Sequence, residues 1–218
     1  GTGIRVEEGF VFLPSGVRLD VAVEGLARTA PKTIEAVGWS DKDTYEFESS
    51  GRVDILNVCN DAAISFKGTV DTTYVSAIFV DKTGTARYDT GLDLTVNRKE
   101  TVLTPTSYSL VNMPEPQASA YSSLFVNGVP YITQGGETDA DTTVNFYTTA
   151  FSHTENVQIG FNRANLYLAC GRVYNRALTD VERAWNAQVD RVRFCGDAAP
   201  LDVTDFIPVR QGTYLILR

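Results

Sequence analysis

Apolar and polar positions alternate with a period of two over most of this chain, and with a period near 3.6 over one late stretch. In the first third the alternation predicts short strands over Gly9–Leu13, Val17–Val23, Thr33–Trp39, Tyr45–Glu48, Val53–Val58 and Ala62–Lys67. Turn-forming clusters separate them at Pro14-Ser15-Gly16, Ser40 to Asp43, Ser49-Ser50-Gly51 and Asn60-Asp61, a spacing of roughly 8–12 residues that suits antiparallel sheets. The rhythm continues with predicted strands over Tyr74–Val80, Thr85–Asp89, Leu92–Asn97 and Val102–Val111. Pro114 and Pro116 each remove a ladder donor, so a loop is expected there. Ser122–Thr133 reads as a hairpin with Asn127-Gly128 at its tip, a dipeptide that tolerates positive φ at both turn positions. An acid-rich loop over Gln134–Asp141 follows, then predicted strands over Thr143–Tyr147, Asn156–Phe161, Leu166–Tyr174 and, near the end, Thr213–Leu217.

The helical period starts after Thr179. Thr179 and Glu182 form a capping-box pattern, in which hydroxyl and carboxylate each satisfy an orphaned amide at a helix start. From there Val181, Ala184, Trp185, Val189 and Val192 recur at helical spacing, opposite Asp180, Arg183, Asp190, Arg191 and Arg193. One amphipathic helix over about 180–194 is expected, with Trp185 in the core. The strand before it, Leu166–Tyr174, is too apolar for a sheet edge. A dozen or so strands and one late helix predict an all-β, two-sheet antiparallel sandwich. In that reading the helix folds back on the sheets and seals one edge of a shared interior.

Composition narrows the partners. At 218 residues with 43% hydrophobic and 21% charged positions, the chain can bury a core, and one domain over 1–218 is expected, with 196–218 a C-terminal extension. A net charge of -8 and the lack of a sustained basic run argue against nucleic acid. No apolar run approaches the roughly 18–20 residues that span a bilayer, so membrane insertion is not expected. The 3 cysteines are scattered; Cys170 and Cys195 flank the strand–helix unit and are either bridged or free thiols packed as small hydrophobes.

Three motifs resemble the laminin-G-like, concanavalin-A-like jelly-roll domains of bacterial surface and phage tail proteins. Pro31-Lys-Thr-Ile-Glu-Ala-Val37 resembles that family's "T-I-E-A" strand, and Leu124-Phe-Val-Asn-Gly-Val129 its "Y-V-N-G" hairpin. Val173-Tyr-Asn-Arg-Ala-Leu-Thr-Asp-Val-Glu182 resembles its C-terminal "Y-N-R-A-L-T-x-x-E" signature. The motifs occur in family order over roughly residues 10 to 195, and the chain departs from the pattern over Leu103–Ala120 and beyond Gly196. The resemblance implies two antiparallel sheets with ligands on one face or at its rim. Relatives range over carbohydrate-binding modules, adhesion domains, phage receptor-binding modules and glycoside hydrolases, so fold alone does not choose the function.

The residues favour binding over catalysis. Asp41-Lys-Asp-Thr-Tyr-Glu46 nearly matches the E-x-D-x-x-E pattern of hydrolases with this fold. Asp in the first place is one methylene short, which withdraws a nucleophile from a pair that must sit about 5–5.5 Å apart. His153, the single histidine, has no G-x-S-x-G elbow to serve and reads as a solvated loop residue. One His and scattered Cys also make a zinc site hard to assemble. For calcium, which takes oxygen ligands, the candidates are Asp41 and Asp43 in one turn and Asp139 and Asp141 in the loop after the hairpin. For a sugar, whose apolar face stacks on aromatic rings, the candidates are Trp39, Tyr88 and Tyr131, with core packing the alternative for Trp39. Tyr174, Asn175 and Arg176 are read as structural, the arginine holding the turn or neutralising first-turn acids. The expected function is a non-catalytic module for a glycan or cell-surface ligand, extracellular or on a cell or virion surface, within a larger protein whose other parts set any homo-oligomer. A structural assembly module and, further behind, a glycoside hydrolase are the alternatives.

Overall fold

The computed structural model describes residues 3–7, 9–40, 52–68, 73–80, 86–89, 104–113, 123–133, 146–148, 152–160 and 164–196. The described strands are β1 (Arg5–Glu7), β2 (Phe10–Leu13), β3 (Arg18–Ala22), β4 (Lys32–Trp39), β5 (Arg52–Val58), β6 (Ala62–Gly68) and β7 (Thr73–Val80). They continue with β8 (Ala86–Asp89), β9 (Thr106–Asn112), β10 (Ser123–Val126), β11 (Val129–Thr133), β12 (Phe146–Thr148), β13 (Asn156–Gly160) and β14 (Leu166–Tyr174), before helix α1 (Asp180–Phe194). Two seven-stranded antiparallel sheets result, one ordered β1-β2-β14-β4-β9-β10-β11 and the other β12-β8-β7-β6-β5-β13-β3. The predicted β-sandwich is the observed architecture, with one late helix among the described residues. β1 carried too short an apolar signal to be predicted, and the predicted strands over 45–48, 92–97 and 213–217 lie outside the described residues.

Period-two patterning builds the interior. On β4, Ile34 and Ala36 face the opposite sheet with no exposure, as do Tyr108 and Leu110 on their neighbour β9. Leu56, Ile64 and Phe66 answer them from the second sheet. The Phe66 and Tyr108 rings meet edge to face at 6.0 Å across the sandwich. A bulge between Leu168 and Cys170 lets the nine-residue β14 stay central in its sheet without swapping its faces. The β10–β11 hairpin turns at Asn127 (φ 50°) and Gly128 (φ 80°), as the sequence predicts. A second tight turn joins β5 to β6 through Cys59, Asn60 and Asp61, with Cys59 and Asn60 both at φ 59° and the Asp61 amide donating to the Val58 carbonyl at 2.9 Å. Positive φ at both central residues is the primed geometry that matches strand twist, and cysteine adopts it rarely.

The helix begins as predicted. Thr179 and Glu182 form the reciprocal capping box, and Arg176 grips both Glu182 carboxylate oxygens at 2.6 and 2.9 Å. That hydrogen-bonded guanidinium is the main reason the Glu182 carboxyl falls to about 2. Arg176 is therefore a clamp on the helix start.

The helix does not sit as predicted. It lies on the outer face of the first sheet rather than sealing an edge of the interior, and it turns its polar side inward. Arg183, Ala187 and Asp190 are buried, whereas Val181 is 67% exposed and Trp185 is only half-buried instead of in the core. The sheet explains the inversion. Beneath the helix, β4, β9 and β14 present Glu35, Ser107, Ser109, Arg172 and Tyr174, so only a polar helix face can satisfy what it covers. Among the described residues no helix is long and apolar enough to cross a membrane.

The inverted helix sets an order of mutational costs. Val181→Lys is expected to shift stability by less than about 0.5 kcal/mol. Ala187→Leu, whose site abuts the β10–β11 turn so that a Cβ on Gly128 would meet Ala187 at 3.5 Å, is expected to cost about 1–3 kcal/mol. Urea unfolding of the two variants checks this, and the reverse order would restore the apolar-inward helix.

Candidate functional site

The outer face of the first sheet carries two environments along β4. At its N-terminal half, Glu35 sits under the helix and is almost fully buried. Tyr174 donates its hydroxyl to Glu35 Oε2 at 3.2 Å, and Asn186 of the helix donates to the same oxygen at 2.9 Å. Arg172 lies 3.3 Å from Glu35 but gives its two-pronged contact to Asp190, at 2.5 and 2.8 Å. One guanidinium thus serves two buried carboxylates. Burial first, then the neighbouring Asp190 charge, push the Glu35 carboxyl up to about 7 against the stabilising pull of Arg172. Burial also lifts the Cys170 thiol to about 11. Cys59, Cys170 and Cys195 are thiols with no disulfide among them, so Cys170 and Cys195 are not bridged.

At the other end of β4 the same face becomes aromatic. Register aligns Arg5, Phe12, Tyr167 and Trp39 in one row across β1, β2, β14 and β4. Trp39 and Tyr167 stack at 5.1 Å with planes 8° apart, and Phe10 meets Trp39 edge-on at 4.6 Å. The Arg5 guanidinium lies 4.5 Å over the Phe12 ring. Phe10, Trp39 and Tyr167 are all partly exposed, so the row is a cohesive platform that still reaches solvent. Of the predicted sugar-contacting residues, Trp39 is thus both packed and accessible, and it gains Tyr167, which sequence reasoning left out. Tyr88 and Tyr131 lie on β8 and β11, away from this row, and their side chains are outside what is described. The calcium candidates Asp41, Asp43, Asp139 and Asp141 lie outside the described residues.

A second polar cluster sits near the start of β4. Lys32, fully buried, donates to the Ala27 and Arg28 carbonyls at 3.1 and 3.0 Å and approaches Asp61 at 3.6 Å. Burial lowers the Lys32 ammonium from its usual range, against the raising pull of Asp61. His153 hydrogen-bonds Asp61 at 2.7 Å, and Cys59 completes the group. The sequence reading of His153 as a solvated loop residue is corrected: its imidazole is held by a buried carboxylate 92 positions away. Pairing between distant segments thus brings together one histidine and one cysteine of a set from which a zinc site reads as hard to assemble.

Comparison with known proteins agrees with the architecture. No protein-family model and no curated protein sequence matches the chain. Among solved structures, it is similar to the botulinum neurotoxin serotype D ligand binding domain in complex with N-acetylneuraminic acid, with a TM-score of 0.60 and 10% identity over 88% of this chain and 46% of that one. It is similar to the receptor binding domain of botulinum neurotoxin D, with a TM-score of 0.58 and 13% identity over 88% of this chain and 47% of that one. It is also similar to the binding domain of Paraclostridial Mosquitocidal Protein 1, with a TM-score of 0.58 and 14% identity over 86% of this chain and 46% of that one. The chain thus spans about half the length of these structures, and the likeness shows the fold, a β-rich sandwich.

Glu35 dictates a pH dependence. Below about 4.5 the group is protonated in both folded and unfolded chains; between there and about 7 only the folded chain keeps the proton. Stability contributed by neutral Glu35 is therefore fully present below about 4.5 and lost as pH rises through about 7, an amount of roughly 3 kcal/mol. Chemical denaturation across pH 4 to 8 is expected to show this decline in the parent protein and a flatter profile in Glu35→Gln. An equally steep profile in the variant would assign the effect to other groups.

Proposed function

We propose that this chain is a non-catalytic binding module that recognises a glycan or glycan-bearing receptor on a cell surface. The observation that carries the reading is the Phe10–Trp39–Tyr167 platform, rigidified by stacking and flanked by Arg5 and the buried Phe12. Flat aromatic rings offer the apolar face of a pyranose a stacking surface, and an adjacent guanidinium suits hydroxyls or a sugar carboxylate. The solved structures of similar fold support it, being named as receptor or ligand binding domains, one of them holding N-acetylneuraminic acid. The motif resemblance to laminin-G-like and concanavalin-A-like domains points the same way and suggests a module of a larger secreted, surface or phage tail protein. Calcium at the acidic loops remains part of this proposal.

A glycan array that includes sialylated structures, probed with the chain, tests the reading. Binding is expected, and Trp39→Ala and Tyr167→Ala are each expected to weaken it about tenfold, the loss of one stacking contact. Arg5→Ala, at an exposed position, keeps the test independent of folding and is expected to lower affinity for charged glycans most. Absence of binding to any glycan or to cells, or binding indifferent to all three substitutions, would remove the proposal.

A further inference from the structure

The cluster beside the start of β4 has a donor set that the binding reading does not use. The Cys59 thiol, an Asp61 carboxylate oxygen and a His153 ring nitrogen all lie within 4.8 Å of one another. We propose that these three side chains form a binding site for a borderline-soft divalent ion of the zinc class.

The backbone prepares the site. Cys59 and Asp61 lie on the tight β5–β6 turn, where positive φ at Cys59 and Asn60 sets the direction of the thiol. His153 arrives on the segment leading into β13, which is laced to that turn. The Cys59 amide donates to the Asn156 carbonyl at 2.8 Å, the Thr154 amide to the Cys59 carbonyl at 3.0 Å, and the Asn60 side chain to the Ser152 carbonyl at 3.1 Å. The donors are thus held by mutual backbone contacts and not by mobile side chains alone.

One atom of the cluster asks for a ligand. Asp61 has no exposed surface, yet its Oδ1 accepts no hydrogen bond; Arg28 Nε stands 3.7 Å from it. A buried carboxylate oxygen left so is costly, and a cation is one way to satisfy it. Sulfur, imidazole nitrogen and carboxylate oxygen together suit zinc and not calcium, which requires six or more oxygen donors. Zinc bonds of about 2.0–2.3 Å place tetrahedral donors roughly 3.5 Å apart, so the side chains close on the ion by about an ångström while the 2.7 Å contact between His153 and Asp61 opens slightly. A fourth position is left for water or an external ligand. Lys32 and Arg28, at 3.6 and 3.7 Å from Asp61, oppose a cation and make the site exchangeable, in contrast to a permanent structural metal.

Titration of the metal-free chain with zinc chloride, followed by thermal unfolding, and titration with cobalt chloride, followed by thiolate-to-metal absorption, test the site. Zinc is expected to raise the melting temperature in a concentration-dependent way, with calcium chloride inert, and cobalt to give a thiolate band. His153→Ala, at the partly exposed ligand, is expected to weaken zinc binding at least tenfold without unfolding the chain. Cys59→Ser is expected to abolish the cobalt band, while Cys170→Ser leaves it intact. No zinc-dependent shift, or a band that survives Cys59→Ser or disappears with Cys170→Ser, overturns the proposal.

Discussion

The arrangement of this protein turns on one buried charge network, in which the Arg172 guanidinium is shared between Asp190 of the helix and Glu35 of the sheet. Charges so deeply buried lose several kcal/mol of hydration each, and removing one partner typically costs about 3–5 kcal/mol because the others are stranded. The network is therefore poor as a source of net stability and strong as a specifier. Only one rotation of the helix brings Asp190 to Arg172, Asn186 to Glu35 and Arg183 over the Phe125 ring at 3.2 Å. The rise of Glu35 to about 7 comes first from burial in that dry interface and then from the Asp190 charge that shares the same cation.

That constraint divides the outer sheet face into a covered and an open part. The N-terminal half of β4 is occupied by the helix, and its far end carries the stacked Trp39 and Tyr167. The zinc-class cluster lies near the start of β4 and the aromatic platform at its end, roughly 20 Å apart along a strand of this length. The two candidate sites are thus separate, and a ligand at one does not touch the other. The platform rests on β2, β14 and β4 and the cluster on the β5–β6 turn and the lead into β13, and a rigid backbone is what a recognition surface needs if its side chains are to keep their geometry without a ligand.

Local signals in the chain were sufficient for most of the elements. The Asn127-Gly128 turn, the Thr179–Glu182 capping box and the period-two runs of β4, β5, β6 and β14 depend on interactions spanning a few residues, and each is found where the pattern places it. The candidate site was only partly legible. Trp39 stood out by residue type, but Tyr167 joins it through cross-strand pairing between segments far apart in sequence. Cys59, Asp61 and His153 were individually unremarkable, because no spacing rule connects a hairpin turn to a strand lead-in that pairs with it only after the sheet has formed.

The helix marks the boundary between the two kinds of information. Its start, its length and its amphipathic character follow from hydrogen bonding and side-chain periodicity within the segment itself. Which face it would bury did not follow, since apolar periodicity assumes an apolar partner, and the sheet surface awaiting it carries Glu35, Arg172 and Tyr174. The amino-acid sequence by itself determined the strands, the turns and the existence of the helix. The tertiary structure alone decided the helix's orientation, the aromatic row and the thiol–carboxylate–imidazole cluster, because each depends on desolvated contacts between residues that only the assembled sheets bring within reach.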